Sequence, residues 1–364
     1  MNNQLVSVVI PTYNAEKYIE KCLKKVLAQT YGIFEVIIVD DGSQDGTLKI
    51  CNKIAATDSR VRVIEAEHGG VSAARNCGLS QAKGEFVTFF DADDFPEKNL
   101  LEEYIKAYEY WKGTVSFILC GMYWENYNNR LVPREKNILE SGRGYKEGGY
   151  YLLHKHDVSE LAWDKILNFV TNKVYLMSVI KACGIRFADT VQIAEDLQFN
   201  LDYLDSIDGF MGVINKPLYH YVKHAGPTLS SSYYEGAIEH VCQSFDKLLE
   251  FVKRQPGVSR DDEYVIESIY LMDWVSRLSM LMEDKETELS KKEKYKICNA
   301  ELQKPRFREI LVDSHKGRKI GHVRYFLLRH CCFKRFFWLR KIYHMLKMRD
   351  DAEGGKKNRD LESV

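Results

Sequence analysis

Two hydrophobic patterns alternate along the first 120 residues. Short β-rich runs occur at Leu5–Ile10, Phe34–Val39, Val61–Glu65, Phe86–Phe90 and Val115–Cys120. Runs of this length, rich in Val, Ile and Phe, read as strands buried on both faces. The stretches between them, near 15–29, 46–57, 70–81 and 97–110, carry helical spacing. In the first, Tyr18, Cys22, Val26 and Gln29 share one face, which Ile19, Leu23 and Leu27 widen. This alternation predicts an α/β fold with a mainly parallel central sheet and helices on both faces. Ligands of such sheets sit beyond the carboxyl ends of the strands. Polar or turn-forming residues stand at those places: Pro11-Thr12-Tyr13-Asn14, Asp40-Asp41-Gly42-Ser43, His68-Gly69-Gly70 and Asp91-Ala92-Asp93-Asp94.

Beyond about residue 235 the strand signal fades. Helical periodicity runs through 236–254, 263–284 and 291–303 and into a basic segment. The Ser-rich Ser230-Ser231-Ser232 places a boundary near 230–236. The organisation expected is an α/β domain over 1–235, a helical region over 236–349 and a disordered tail over 350–364.

Composition sharpens this reading. The 364 residues carry 52 basic and 52 acidic side chains, but unevenly. Residues 315–349 hold eleven Lys/Arg and no Asp or Glu, whereas 350–364 hold three basic and five acidic residues. That leaves 38 basic and 47 acidic residues in 1–314. An acidic body is joined to a basic segment, which implies an anionic partner at one end. Within the segment, Leu328, Cys332, Phe336, Leu339, Tyr343 and Leu346 trace one helical stripe, flanked by Phe333, Phe337 and Trp338. Aromatics among Lys and Arg suit a helix lying on an anionic membrane surface. A helix packed on the α/β domain with a solvated basic face is the other reading. No nucleic-acid recognition motif is present. No run of about 18 apolar residues exists to span a membrane, and the start MNNQLVSVVIP lacks the basic region of a signal peptide. Nine cysteines without CxxC spacing fit a reducing, cytoplasmic setting and read mostly as small buried apolar residues. The adjacent Cys331 and Cys332 are the candidates for acylation.

The strongest chemical signal is Asp91-Ala92-Asp93. Alternate strand residues share a side, so these two carboxylates can face one point. Paired hard oxygens at a strand end suit Mg²⁺ or Mn²⁺, which also takes oxygens from a bound phosphate. Asp94 reads as the cap of the helix beginning near Glu97. Asp41 can accept hydrogen bonds from a base or ribose, or belong to a tight turn capped by Asp45 or Thr47. Arg75, after Gly69-Gly70, can pair with a diphosphate or lie solvated on a helix.

Taken together, these blocks resemble the inverting family 2 glycosyltransferases of GT-A fold. The matching segments are Val8 to Asn14, Val39 to Thr47, Gly69 to Asn76, Asp91 to Asp94 and Glu195-Asp196, in the family's order. The resemblance implies a nucleotide-diphosphate sugar donor, most often a UDP-sugar, a divalent cation (Mn²⁺ or Mg²⁺) and displacement with inversion at the anomeric carbon. Carried over by position, Pro11, Tyr13 and Asp41 correspond to the nucleoside pocket and Arg75 to a donor contact. Asp91 and Asp93 correspond to the DxD motif, with Asp93 the more direct metal ligand. His68 stands where the family often has Asn, which weakens any specific base contact there. Asp196 corresponds to the general base, with Glu195 beside it on the acceptor side. Ala162-Trp163-Asp164-Lys165 resembles an acceptor-side element, where Trp163 offers a face to a sugar and Lys165 a cation to phosphate. Tyr219 to His224, then Thr228, resembles a loop closing over the diphosphate, which makes His224 a candidate metal or phosphate contact.

The implied enzyme moves a sugar to a hydroxyl of a lipid-linked saccharide acceptor in cell-surface polysaccharide synthesis, at the cytoplasmic face of the membrane. Two other readings are a degenerate protein that only holds nucleotide sugar and a sugar-phosphate nucleotidyltransferase. The latter calls for a Gly-rich basic loop after the first strand, where this chain has Pro11-Thr12-Tyr13-Asn14.

Overall fold

The run Val6 to Ile10, without solvent exposure at any of its apolar positions, forms the middle of the main sheet in a computed structural model of the chain. The structure describes residues 4–126, 135–139, 144–189, 193–224, 233–234, 236–285, 287–330 and 332–352, with the backbone alone at 126, 135 and 343–352. Two units are delimited, residues 1–226 and 227–364.

The first unit opens with β1 (Val6–Thr12), α1 (Ile19–Leu27), β2 (Phe34–Asp40), α2 (Thr47–Ala55), β3 (Val61–Glu65), α3 (Val71–Gln81) and β4 (Phe86–Phe89). It continues through β5 (Phe95–Pro96), α4 (Leu100–Tyr110), β6 (Phe117–Asn126), β7 (Glu135–Asn137), β8 (Tyr150–His154), α5 (Val158–Trp163), β9 (Lys173–Leu176), α6 (Met177–Cys183), α7 (Glu195–Asp205) and β10 (Phe210–Lys223). The sheet order is β3-β2-β1-β4-β9-β6-β10-β5, with β7 beside β6 and β8 beside β10. β1, β2, β3 and β4 are mutually parallel, and β6 and β10 are parallel to each other. β9 pairs antiparallel with both β4 and β6, so six of the ten described strands run one way. The fold is α/β with a mostly parallel central sheet, as the alternation predicts. The inserted β9 has no such signal, because it is short and begins with a lysine.

β1, β2 and β4 are buried along almost their whole length because helices cover both faces. α3 lies close enough that a methyl group at Gly78 would collide with Val9 and Val39. That approach brings the amino-terminal turns of α3 to the strand ends.

The second unit comprises α8 (Ala237–Arg254), α9 (Arg260–Glu283), α10 (Lys291–Glu301), α11 (Pro305–Lys316), α12 (His322–His330) and α13 (Phe333–Ala352). Capping boxes at Ser259/Asp262 and Ser290/Glu293 start α9 and α10. α9 therefore begins three residues before the apolar pattern becomes visible. Its core stacks Phe245 on Tyr270 at 5.2 Å and Tyr270 on Trp274 at 5.6 Å.

The basic stripe is not one helix. α12 ends at His330 and α13 begins at Phe333. Leu328, Phe333, Phe336 and Phe337 are buried, whereas Cys332, Trp338 and Leu339 are exposed. The Phe333 N–H donates to Asn299 Oδ1 at 2.8 Å, and Arg340 bonds Ser279 Oγ. The inner aromatics are thus core of the helical unit itself. The side chains of Tyr343 and Leu346, and all of Cys331, Thr228, Ser230–Ser232 and 353–364, lie outside the described residues. Cys22, Cys51, Cys120 and Cys298 are buried free thiols, as their apolar setting suggests. Among the described residues, no helix is long and apolar enough to cross a membrane.

Candidate active site

The parallel strands deliver their polar ends to one edge of the sheet. After β2, Asp41 is almost fully buried. Its Oδ1 accepts from the Gly69 N–H at 2.8 Å and its Oδ2 from the Gly70 N–H at 2.9 Å. Gly70 sits at φ +87°, a left-handed conformation that glycine adopts without a Cβ penalty. His68 Nδ1 lies 2.9 Å from Asp41 Oδ2, and its ring stacks on Tyr13 at 4.4 Å. Tyr13 is 46% exposed, so the pair forms an open shelf after β1. Pro11 is buried in β1 in register with Val39, beyond the last β1–β4 pair at Val9. Asp41 therefore joins β2 to the turn entering α3, and that helix carries the next functional group.

Arg75 stands in the second turn of α3 with its side chain 3% exposed. Nη1 donates to Glu195 Oε1 at 3.0 Å and to Asp196 Oδ1 at 2.6 Å. Nη2 donates to Asp91 Oδ1 at 2.9 Å. One guanidinium thus joins Asp91 of the DxD segment to the Glu-Asp pair, which begins 120 residues beyond Arg75 in the chain. Burial alone lowers its pKa, but Asp196, Asp91 and Glu195 outweigh that and hold it protonated. Arg75, expected at the donor by resemblance, has these carboxylates as its neighbours in the fold.

Glu195 and Asp196 open α7 directly after Ala194, which adopts φ +64°. The helix amino terminus favours their negative charge. Asp196 Oδ2 accepts from the Val170 N–H at 3.2 Å. Burial raises the pKa of Asp196, opposed by Arg75. Burial and then Asp196 raise that of Glu195. A buried carboxylate with a raised pKa beside a cation is suited to accept a proton from a hydroxyl.

Asp91 follows β4, and its backbone N–H donates to Tyr219 Oη at 3.0 Å. The Asp93 side chain is 42% exposed, and its pKa is raised to about 6 by burial and then by Asp91. Asp94 does not cap a helix. α4 begins later, at Leu100, and Asp94 Oδ1 instead accepts from the Val222 N–H of β10 at 2.7 Å. The β5 pairing intervenes between Asp94 and α4 and moves the helix start. Burial, then Asp93 and Asp91, raise the Asp94 pKa strongly, opposed by the Val222 N–H and the Tyr219 hydroxyl. His224 Nε2 lies 3.7 Å from Asp93 Oδ2 and 3.3 Å from the Asp93 carbonyl. Among the described residues no three metal-ligating side chains already converge as a cage. Hard, mutually repelling oxygens with one exposed member nonetheless fit a small divalent cation that completes its shell with phosphate and water.

Trp163 ends α5 half-buried, and Lys165 follows it, exposed and at φ +56°. The Lys165 ammonium lies 5.7 Å from the ring of Trp124. Motif reading did not single out Lys173. It is fully buried, and its Nζ donates to the carbonyls of Ile166 (2.8 Å) and Phe169 and to Asn172 Oδ1 (2.7 Å). Asn200 Nδ2 bonds the Leu167 and Phe169 carbonyls from α7. Together they fasten the loop that presents Val170 to Asp196. The available signal was a lone cation opening the apolar run Val174-Tyr175-Leu176.

Residues 7–184 match the family model described as Glycosyl transferase family 2. The chain is 28% identical over 250 residues to the glycosyltransferase EpsJ of Bacillus subtilis, covering 68% of this chain and 69% of EpsJ. It is 31% identical over 230 residues to the poly(ribitol-phosphate) beta-N-acetylglucosaminyltransferase TarS of Staphylococcus aureus, covering 62% of this chain but 37% of TarS. The match to the Streptococcus pneumoniae glycosyltransferase GlyA, at 35% identity, spans 48% of this chain and 28% of GlyA. The crystal structure of S. aureus TarS 1–349 with UDP-GlcNAc superposes with a TM-score of 0.59 at 23% identity, over 86% of this chain and 87% of that one, and shares its fold. Residues 7–184 form a glycosyl transferase family 2 domain, and the chain is a glycosyltransferase of GT-A-type fold.

Proposed function

We propose that the protein is a metal-dependent inverting transferase that moves a sugar from a UDP-sugar to a hydroxyl of a saccharide acceptor. The observation that carries this reading is the cluster in which buried Arg75 holds Asp196 and Asp91 within hydrogen-bond reach at the strand ends. It joins a base candidate to the donor side of the site. UDP and UDP-GlcNAc, named in the TarS complexes, are the first ligands to test.

In this reading Tyr13, His68 and Asp41 line the nucleoside end, with Pro11 behind them. Asp93 and Asp91, with His224 as a third candidate, hold Mg²⁺ or Mn²⁺. The ion, when bound, offsets charge on the leaving diphosphate. Asp196 takes the proton of the attacking hydroxyl as the bond to the anomeric carbon forms. A single in-line displacement needs one base and no covalent intermediate. Arg75 keeps Asp196 ionised and oriented, and Glu195 with Trp163 and Lys165 faces the acceptor.

A lipid-linked acceptor in cell-surface polysaccharide synthesis, with the enzyme on the inner face of the membrane, extends the proposal. The exposed Val323, Phe326, Trp338 and Leu339 among basic residues support it. The test is UDP release from UDP-GlcNAc, and from a panel of other UDP-sugars, with Mn²⁺ and with chelator. Metal-dependent release of UDP that rises with added saccharide supports transfer. Nucleotide binding without release under any condition overturns it in favour of a protein that only binds donor.

A further inference from the structure

We propose that Trp124, Phe169 and Tyr221, with Lys165 and Lys223, form an acceptor subsite for a saccharide or polyol that carries a phosphate. The inference rests on the glycosyltransferase reading and names the acceptor class of the same site.

β6 and β10 are parallel, and Trp124 is in direct register with Tyr221 near the carboxyl ends of both strands. The two rings lie 5.4 Å apart at 48°. Phe169 completes the group, 5.4 Å from Tyr221 and 6.2 Å from Trp124. All three are half-buried, so edges and faces remain accessible. Chain continuity ties this platform to the chemistry. Phe169 precedes Val170, whose N–H bonds Asp196, and Tyr221 is three residues before His224, which touches Asp93.

Two cations share this platform. Lys223 Nζ lies 4.7 Å and Lys165 Nζ 5.7 Å from the Trp124 ring. Both lysines are exposed, and among the described residues neither pairs with a carboxylate. Attraction to the indole face holds each ammonium there. Two like charges near one ring raise the local positive potential, which favours an anion at this platform. Lys165 also holds a left-handed backbone at φ +56°, a strain that concentrates at binding sites. Trp124 Nε1 and Asn168 Oδ1 are buried without a protein partner, which leaves hydrogen-bonding capacity beside the platform. Aromatic faces suit the apolar face of a sugar. Two compact ammonium groups suit a phosphoryl group, whose charge is spread over several oxygens.

The test uses the full chain with UDP and Mn²⁺ present to fill the donor side. Calorimetry compares three matched saccharide probes bearing a methyl phosphodiester, a carboxylate or a methyl ether at one position. A fourth, short-chain lipid diphosphate saccharide separates a membrane-borne phosphate from one within a polymer. The phosphodiester or diphosphate probe is expected to bind about tenfold tighter than the ether. The double variant Lys165→Ala/Lys223→Ala is expected to lose that tenfold selectively, and Lys165→Arg/Lys223→Arg to recover it. Trp124→Ala is expected to weaken all probes alike. Melting temperature checks that each variant is folded. Equal binding of the phosphate, carboxylate and ether probes overturns the proposal, as does a loss in the double variant that ignores the phosphate. Failure of the wild type to release UDP from any donor sinks the transferase reading instead, so the two failures are distinct.

Discussion

Arg75 Nη1 and Asp196 Oδ1 are hydrogen-bonded at 2.6 Å, with the Arg75 side chain 3% exposed. The same guanidinium also reaches Asp91 and Glu195. Without it, three carboxyl groups would stand together in a poorly solvated site, and among the described residues none would keep a cation in hydrogen-bond contact. Removing one partner of a buried ion pair costs about 3–5 kcal/mol, because the other charge is left uncompensated. Arg75→Ala is expected to lose stability in that range, read from urea unfolding. Arg75→Lys is expected to recover only part of it, since one ammonium cannot match a planar fork that spans three carboxylates. Stability equal to the wild type in both variants would remove Arg75 from the centre of this site.

Asp196→Asn keeps the shape but removes the proton acceptor. Transfer is expected to fall by about 100-fold or more, within the range of general-base losses. UDP affinity in the presence of Mn²⁺ is expected to persist. An equal loss of UDP affinity, measured by calorimetry, would make Asp196 a donor or metal ligand instead of the base.

Lys173 fastens the loop beside Asp196 and leaves a pH signature. Burial lowers its pKa from 10.5 to about 7, with Asp196 opposing the shift. The unfolded chain binds more protons between those values than the fold does, so this group makes stability rise with pH across that window. Lys173→Met should flatten that rise in pH-dependent chemical unfolding. It should also reduce kcat, by about 100-fold if the loop carrying Val170 shifts by an ångström, with little change in KM for the donor. An unchanged kcat would show that the loop is held without it.

Metal binding at Asp93 should be acid-sensitive. The carboxyl, with its pKa raised to about 6, must lose its proton before it can ligate. Below that value Mn²⁺ affinity is expected to fall by about tenfold per pH unit. The Mn²⁺-induced rise in melting temperature with UDP, measured at pH 5, 6 and 7, reads this directly. Asp93→Asn should abolish the Mn²⁺ effect, and a shift that survives would place the ion elsewhere.

Membrane attachment calls for point changes, because a deletion of the basic segment would also remove Phe333, Phe336 and Phe337 from the helical core. Trp338 is 63% and Phe326 58% exposed, so both can change without opening the core. Phe326→Ser/Trp338→Ser is expected to reduce binding to vesicles containing anionic lipid by about tenfold, from the apolar area withdrawn. Vesicle binding that stays at the wild-type level defeats the membrane-surface proposal.

The sequence by itself determined the parallel half of the sheet and the identity of most chemical groups. β1 to β4 and α1 to α4 each follow from a local rule, a buried apolar run or an amphipathic period, and need no knowledge of distant residues. The polar strand ends were legible for the same reason, since a turn after a buried run announces itself in a few positions. Local rules failed where partners are remote. β9 is a four-residue strand inserted antiparallel between β4 and β6, a choice made by the pairing of segments far apart in the chain. The basic stripe kept helical spacing through a break, because periodicity does not record where the backbone leaves the helix. Only the tertiary structure decided that Asp94 serves β10, that Arg75 serves Asp196, and that Lys173 fastens the loop beside Asp196. Each of these is a buried polar group whose partner must be supplied by the fold, since an unpaired charge in the interior is too costly to leave there. Sequence shows that such a group exists, and only packing decides which neighbour compensates it.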